Sequence, residues 1–170
     1  LFFFVSAEQT KNIAPGPDYG PVGSGATNEV RNLTQADIDR IIQIAQGYGL
    51  NPGSLDASSV DTDSKRYLVK FDWNINADHR ASFRFNKVRE VEPILGGFSA
   101  NGIALSSYWY ARKRNNDNYV VNLYDDWTEN FSTESSLSYT NYEVLRDGLM
   151  GDQPQIIINL GRNSSGVYNN

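Results

Sequence analysis

The sequence predicts a mainly β protein, an antiparallel up-and-down meander that forms part of a transmembrane β-barrel, with one short helix in a long outer loop. Three observations predict this fold class. Apolar and polar residues alternate over residues 67–86, YLVKFDWNINADHRASFRFN, as they do in strands with two different faces. Aromatic residues close the apolar face beside a tight turn. Tight turns also alternate with long loops, as in outer-membrane barrels.

The composition limits the classes of protein to which the chain can belong. It has 170 residues, enough for one domain with a hydrophobic core, and no cysteine, so neither a disulfide nor a thiolate metal site is expected. The net charge of -5 argues against nucleic acid as a partner. No apolar run reaches the roughly 18 residues of a transmembrane helix. The opening residues, LFFFV, lack the basic leader of a signal peptide and indicate a strand inside a larger protein.

Residues 1–170 are predicted to form one partial barrel domain. Its five strands cover residues 1–10, 65–75, 80–88, 105–127 and 131–143. Segments rich in Gly, Pro, Asn and Ser are predicted to be outer loops, namely 11–64, 89–104 and 144–170. The stretch ARKRNNDNY allows 105–127 to be one strand or a hairpin that turns at 114–117. One strand is favoured, because it puts the tight turns 76–79 and 128–131 at the same end.

A helix is predicted over residues 35–47, inside the first outer loop. Thr34 is a good N-cap with Asp37 at the capping-box spacing, and Pro52 prevents any continuation. The helix has an apolar face made of Ile38, Ile41, Ile42 and Ala45. This face must pack against something, and we expect it to meet neighbouring outer loops as part of an outer binding vestibule.

The alternation assigns side chains to two faces of the meander. The apolar face is predicted to contact lipid, through Tyr67, Val69, Phe71, Trp73, Phe83, Phe85, Val121, Leu123, Leu137 and Tyr139. The opposite face must meet water or form ion pairs, because burying unpaired charges costs several kcal/mol per ion. It is predicted to line the lumen, through Lys70, Asp72, Arg80, Arg84, Asn122 and Glu134.

An internal similarity links the two tight turns. The segment DWNINADHRASF (72–83) aligns without gaps on DWTENFSTESSL (126–137). In each copy a Trp is the last aromatic residue before the turn, and only Asp125 interrupts the apolar face of the second copy. Trp favours the boundary between hydrocarbon and water. Both turns are therefore expected in the same physical environment.

Four stretches together resemble TonB-dependent outer-membrane transporters, specifically the Oar-like group. They are LFFFVSAEQTKN, ADIDRIIQIAQGYGLNPG, DTDSKRYLVKFDWNINADHRASFRFN and SSYWYARKRNNDNYVVNLYDDWTENFSTE. The resemblance covers most of the chain, and the order and spacing of the stretches carry more of it than any single one. It implies a 22-stranded barrel closed by an N-terminal plug, with ligand uptake across the bacterial outer membrane.

The resemblance also implies which partners the transporter has and which part of it this chain supplies. The partners are outer-membrane lipid, the TonB complex through an N-terminal part outside this chain, and a transported ligand of unknown chemistry. This chain is expected to supply about five strands and neither the plug nor a TonB-box segment. The ligand-binding residues are not predicted.

Two other classes of function are compatible with a chain of this size. For an enzyme, His79 is the only histidine and is predicted to lie solvated in a turn, and no nucleophile, phosphate-loop or zinc motif is present. We therefore expect no catalytic residue, cofactor or metal. A secreted or surface soluble β-rich module that binds carbohydrate or another ligand is the stronger alternative. Such a module would cover its apolar strand face with a second layer, whereas a barrel segment would leave it exposed.

Overall fold

The computed structural model of the protein describes residues 1–57, 59–151 and 154–160. It divides the chain into two compact units, which are described separately. Unit 1 comprises Leu1–Asn12, Thr62–Glu92 and Arg112–Leu145. Unit 2 comprises Ile13–Asp61, Pro93–Ala111 and the described residues from Arg146 onward.

In chain order the elements are β1 (Phe2–Pro15), β2 (Tyr19–Pro21), β3 (Asn28–Val30), α1 (Gln35–Gly47), β4 (Ser59–Asn74), β5 (His79–Ile94), a 3-10 turn (Ser106–Tyr108), β6 (Tyr110–Thr128) and β7 (Phe131–Gly148). Unit 1 is built on a sheet with the strand order β1-β4-β5-β6-β7. This sheet is an antiparallel meander, so the predicted strand order is confirmed.

The ambiguous segment 105–127 forms a single strand, β6, which begins at Tyr110. The residues before it form the 3-10 turn and an extended stretch instead. The two tight turns lie side by side, because the backbone N–H of Asp126 donates to the backbone oxygen of Asp78 at 2.8 Å. The turns are therefore at the same end of the sheet, as the one-strand interpretation predicts.

Several strands extend beyond their predicted ends. β5 was expected to stop at residue 88, but it continues to Ile94. The charged residues of this extension are paired across the strands: Arg114 pairs with Glu90, and Arg112 Nη2 lies 2.6 Å from Glu92 Oε2. Likewise β4 begins at Ser59, well before residue 65. Cross-strand pairing of this kind makes charged residues compatible with a strand.

Helix α1 confirms the predicted helix at both ends. Thr34 and Asp37 form the capping box, in which the Asp37 N–H donates to Thr34 Oγ1 and the Thr34 N–H donates to an Asp37 carboxylate oxygen. Asp therefore replaces the more usual Glu at this position. Within the described ranges, no helix is long and apolar enough to cross a membrane.

Unit 2 contains the hydrophobic core that the structure describes. Val30, Leu33 and Ile38 are buried, and around them pack the half-buried residues Tyr19, Ile42, Leu55, Ile103, Leu105 and Leu160. Trp109 is also buried, and its indole N–H donates to the Gly96 oxygen at 3.1 Å. The apolar face of α1 thus packs against segments predicted to be outer loops.

The predicted outer loop 11–64 also holds a small parallel sheet, because β2 pairs with β3 from Tyr19↔Asn28 to Pro21↔Val30. The bend between the two strands is closed by Asp18, which accepts hydrogen bonds from the Thr27 N–H and hydroxyl. These bonds lower the pKa of Asp18, so the carboxylate that organises the bend stays ionised in mildly acidic solution. The segment is therefore folded, which the sequence does not predict.

Candidate functional site

The first candidate site is the apolar face of the sheet in unit 1. The register between β4 and β5 pairs Phe71 with Phe83, and Val69 with Phe85. Phe85 stacks on Tyr119 of β6, with ring centroids 4.7 Å apart, and Tyr119 lies 6.1 Å from Tyr139 of β7. By alternation, all the residues predicted to contact lipid lie on this one face: Tyr67, Val69, Phe71, Trp73, Phe83, Phe85, Val121, Leu123, Leu137 and Tyr139.

The side chains of this face are accessible to solvent. Phe71 in the middle of the sheet is 42% exposed, and Leu137 on β7 is 74% exposed. The buried hydrophobic residues in the described ranges, Val30, Leu33, Ile38 and Trp109, all belong to unit 2. The structure therefore describes an apolar sheet face without a second apolar layer packed on it.

The opposite face of the sheet is polar. Lys70 is paired directly with Arg84, and its ammonium group lies 2.7 Å from the Asp72 carboxylate. The Arg80 guanidinium lies over the Tyr124 ring at 4.3 Å, a cation–π contact. The six residues predicted to line the lumen lie on this face by register and alternation: Lys70, Asp72, Arg80, Arg84, Asn122 and Glu134.

Uncharged side chains link three strands across the same polar face. The Asn122 amide donates to Ser82 Oγ at 3.1 Å on β5, and its oxygen accepts from the Ser136 hydroxyl at 2.8 Å on β7. A second amide, Asn118 on β6, donates to Thr140 Oγ1 at 2.8 Å. Lys70, Arg80, Asn118 and Asn122 thus have partners on this face, and a wet environment suits its charged and amide side chains.

At the turn end, the apolar face finishes with Trp73 and Trp127, both more than half exposed. Asp125, the charge that interrupts the apolar pattern, lies beside His79, with 2.8 Å between His79 Nδ1 and Asp125 Oδ1. The His79 ring also meets Trp127 edge-on, at 5.2 Å between centroids. His79 thus closes the tight turn as the first residue of β5, and its ring is only partly exposed because Asp125 and Trp127 flank it.

At the other end of the apolar face, tyrosines are followed by cations. Tyr67 is paired with Lys87, and the next pair on the same face is Lys65 with Arg89. Arg89 Nη2 lies 2.7 Å from Asp117 Oδ2. The order along the face is therefore apolar, aromatic and then cationic. The sequence contains this signal, but the cations fall at positions predicted to be strand ends.

The second candidate site is a cleft of about 1260 Å³ within unit 2. One wall is the outward side of α1, where Ile41 and Ile44 line the cleft. Other walls are formed by residues 101–105 and 154–160, and polar groups such as Asn101 and Asn159 stand among the apolar ones. The cleft exceeds the 300–1,000 Å³ that is usual for small-ligand pockets. The sequence could not reveal it, because its walls come from chain segments far apart.

Among the described residues, no three His, Cys, Asp or Glu side chains are grouped closely enough to hold a metal ion. The one histidine is engaged with Asp125 at a strand end, remote in sequence from the cleft walls. The two candidate sites are thus an amphipathic sheet face and a cleft lined by apolar side chains together with amides.

Comparisons with known proteins identify no relative. No protein-family model matches the chain, and neither the curated proteins nor the solved structures include a significant match.

Proposed function

We propose that this chain is a segment of the β-barrel of a TonB-dependent outer-membrane transporter, which takes up a ligand across the bacterial outer membrane. The observation that carries the proposal is the exposed apolar face of the sheet in unit 1, opposite a face of ion pairs and amides. The apolar face is suited to contact with lipid, and the face of ion pairs and amides is suited to a lumen filled with water or protein.

The height of the apolar face fits an outer membrane. Along β4 it runs from Tyr67 to Trp73, which are six residues apart and so separated by about 20 Å at roughly 3.3 Å per residue. Outer-membrane barrels present an apolar band about 25 Å tall, with aromatic residues at both boundaries. Tyrosines stand at one end here and tryptophans at the other, which is the expected girdle arrangement.

The edges of the sheet support closure into a barrel. β1 and β7 are the outer strands, and within the described residues no further strand pairs with them. β7 alone runs from Phe131 to Gly148. Such long edges carry rows of backbone N–H and C=O groups, which lipid cannot hydrogen-bond. Further strands from the complete protein would satisfy these groups.

A soluble binding module is disfavoured by the same sheet. A soluble sheet with one apolar face hides that face beneath another layer, because exposing several large aromatic side chains in water forfeits about 1.5–3 kcal/mol for each one. Phe71, Trp73 and Leu137 remain exposed in the described structure. Transport through TonB itself is proposed on the resemblance of the sequence alone.

The location is tested by expressing the complete reading frame that carries this segment in its native host. We expect the protein in the outer-membrane fraction, and we expect its electrophoretic mobility in detergent to change on boiling, as folded barrels show. Recovery in a soluble fraction, with the same mobility before and after boiling, would exclude a barrel.

The cleft of unit 2 is proposed to contact the transported ligand. Ile44 lines the cleft and is 50% exposed, so Ile44→Asp should place a charge in the cleft without disturbing the buried Ile38. The nutrient to be measured is the one whose energy-dependent import is lost when the gene is deleted. We expect Ile44→Asp to take it up at least tenfold more weakly than wild type. That fold change corresponds to about 1.4 kcal/mol of binding energy.

The neighbouring Gln43→Asp provides the matched control, because Gln43 is exposed on α1 and lies outside the cleft walls. Both variants should reach the outer membrane in wild-type amounts. Equal uptake by the two variants would remove the cleft from the transport pathway.

A further inference from the structure

We propose that Lys65, Lys87 and Arg89 form a docking site for the phosphate-bearing headgroup of a membrane lipid. The site lies where the apolar face of unit 1 ends in tyrosines. The inference rests on the proposed function, since it requires this face to contact lipid. Beyond the proposed function, it specifies the chemistry of the bound lipid and the end of the sheet at which the headgroup binds.

The cations are placed together by strand register. Lys65 on β4 is directly opposite Arg89 on β5, and Lys87 lies one step inward on the same face. Like charges directly opposite each other are unfavourable in a sheet unless an anion joins them. Three cations in adjacent positions therefore need a counter-charge.

The protein supplies only part of that counter-charge. Arg89 is paired with Asp117 at 2.7 Å. Neither Lys65 nor Lys87 has a carboxylate within ion-pair distance among the described residues. The ammonium groups of Lys65 and Lys87 are therefore not held in ion pairs of the described part of the protein, and a phosphate group could lie between them.

The surroundings select a lipid over a small anion. Tyr67 is opposite Lys87, and the next pair inward is Val69 with Phe85. An acyl chain lying along Val69 and Phe85 would bring its headgroup to the level of the two lysines. Lysine stems also extend along apolar surface while the ammonium reaches a polar boundary. A free phosphate ion would gain nothing from the apolar side chains.

Carboxylates mark the outer limit of the site. Asp63, two residues before Lys65 on the same face, lies further from the tyrosines. Its carboxylate accepts a hydrogen bond from the Gln9 side-chain amide at 3.0 Å. Glu143 on β7 accepts from the Asn115 amide, also at 3.0 Å. The cationic strip is therefore narrow, between the tyrosines and these two carboxylates. A headgroup is held at one depth instead of spreading over the sheet.

The turn end of the same face has the opposite charge. Asp125 lies on this face beside His79, and Asp78, Asp126 and Glu129 surround the two turns. Arg80, the nearest cation in the strand, lies on the polar face over Tyr124. The two boundaries of the apolar face thus differ in charge, and the charge of the Lys65 end suits an anionic headgroup.

The test uses the complete protein purified from the outer membrane in a neutral detergent. Binding of dioleoyl phosphatidic acid is measured by native mass spectrometry, with dioleoylglycerol as the lipid without phosphate and inorganic phosphate as the anion without acyl chains. We expect wild-type protein to bind phosphatidic acid in preference to both. The double variant Lys65→Gln, Lys87→Gln should bind it about 30-fold more weakly, the effect expected for two cations at an anionic lipid surface.

The matched control removes two cations from the polar face, as Lys70→Gln with Arg84→Gln, which are also directly paired. It should bind phosphatidic acid like wild type. An equal loss in both double variants, equal binding of dioleoylglycerol, or inorganic phosphate binding as tightly as the lipid would each overturn the site. Protein that inserts and shows the boiling-dependent mobility but has no such preference refutes the lipid site alone. Protein that does not insert refutes the barrel proposal and the lipid site with it.

Discussion

Leu137→Arg should destabilise the inserted protein by about 2–4 kcal/mol, the cost of an arginine on the lipid face of a barrel near the midplane. Leu137 is 74% exposed and lies on β7 between two boundary contacts. One is the Tyr119–Tyr139 ring pair, and the other is the hydrogen bond from Trp127 to Thr133. A charge at this level lies between the two aromatic boundaries, so the guanidinium would have to reach past apolar side chains to meet water.

The matched control is Leu68→Arg, the same substitution on the polar face. Leu68 is paired with Asn86, and its neighbours on that face are Arg66 and Lys70. We expect its effect to stay within about 1 kcal/mol, because a lumenal arginine remains hydrated. Stability is measured by urea unfolding of the complete protein in lipid vesicles. Equal losses for the two variants would show that the two faces do not differ in environment.

Trp109→Ala should cost unit 2 about 3–5 kcal/mol, the usual range for removing a buried Trp. Trp109 is 3% exposed, packs against Phe98 with ring centroids 5.8 Å apart, and donates its indole N–H to Gly96. The substitution leaves a cavity and also an oxygen without its donor. Faster hydrogen exchange at the backbone amides of residues 96–109 would report the loss.

Two variants separate packing from the hydrogen bond. Trp109→Phe keeps an aromatic ring but loses the bond to Gly96, so it should show a smaller acceleration of exchange. Trp73→Ala makes the same Trp deletion at an exposed site, and should leave exchange in residues 96–109 unchanged. If Trp109→Ala exchanges like wild type, this residue does not hold unit 2 together.

The faces of the sheet are predictable from sequence because they depend on alternation, which is a local property of the chain. Phe71 and Phe83 are assigned to one face by counting alone, and the register then brings them together. The helix is predictable for a similar reason. Its cap, Thr34 with Asp37, and its apolar face all lie within a few residues of one another.

Partnerships across strands are harder to predict. Glu90 and Glu92 fall in a segment predicted to be a loop, and their partners are arginines of β6, which lie 24 and 20 residues later in the chain. The same holds for His79, whose partner Asp125 lies in another strand. Local periodicity contains no information about which strand will be the neighbour. The sequence therefore predicts a start of β4 that is too late and an end of β5 that is too early.

The fold of unit 2 is the part least accessible to sequence reasoning. Its core joins Leu33 and Ile38 to Ile103 and Leu160, which come from three separate segments. Outside α1, each segment is short, rich in turn residues and without a sustained hydrophobic period. Composition alone predicts a loop there, and only the long-range packing around Val30 gives the segments a common structure.

The Asn122 bridge has a consequence for how the meander forms. Slipping one strand by two residues would keep every side chain on its original face, so the hydrophobic pattern alone does not oppose that error. Asn122, however, donates to Ser82 and accepts from Ser136, and both partners would move out of reach together. The two hydrogen bonds of Asn122 therefore favour the native register of β5, β6 and β7 over a register shifted by two residues, which would bury the same apolar side chains.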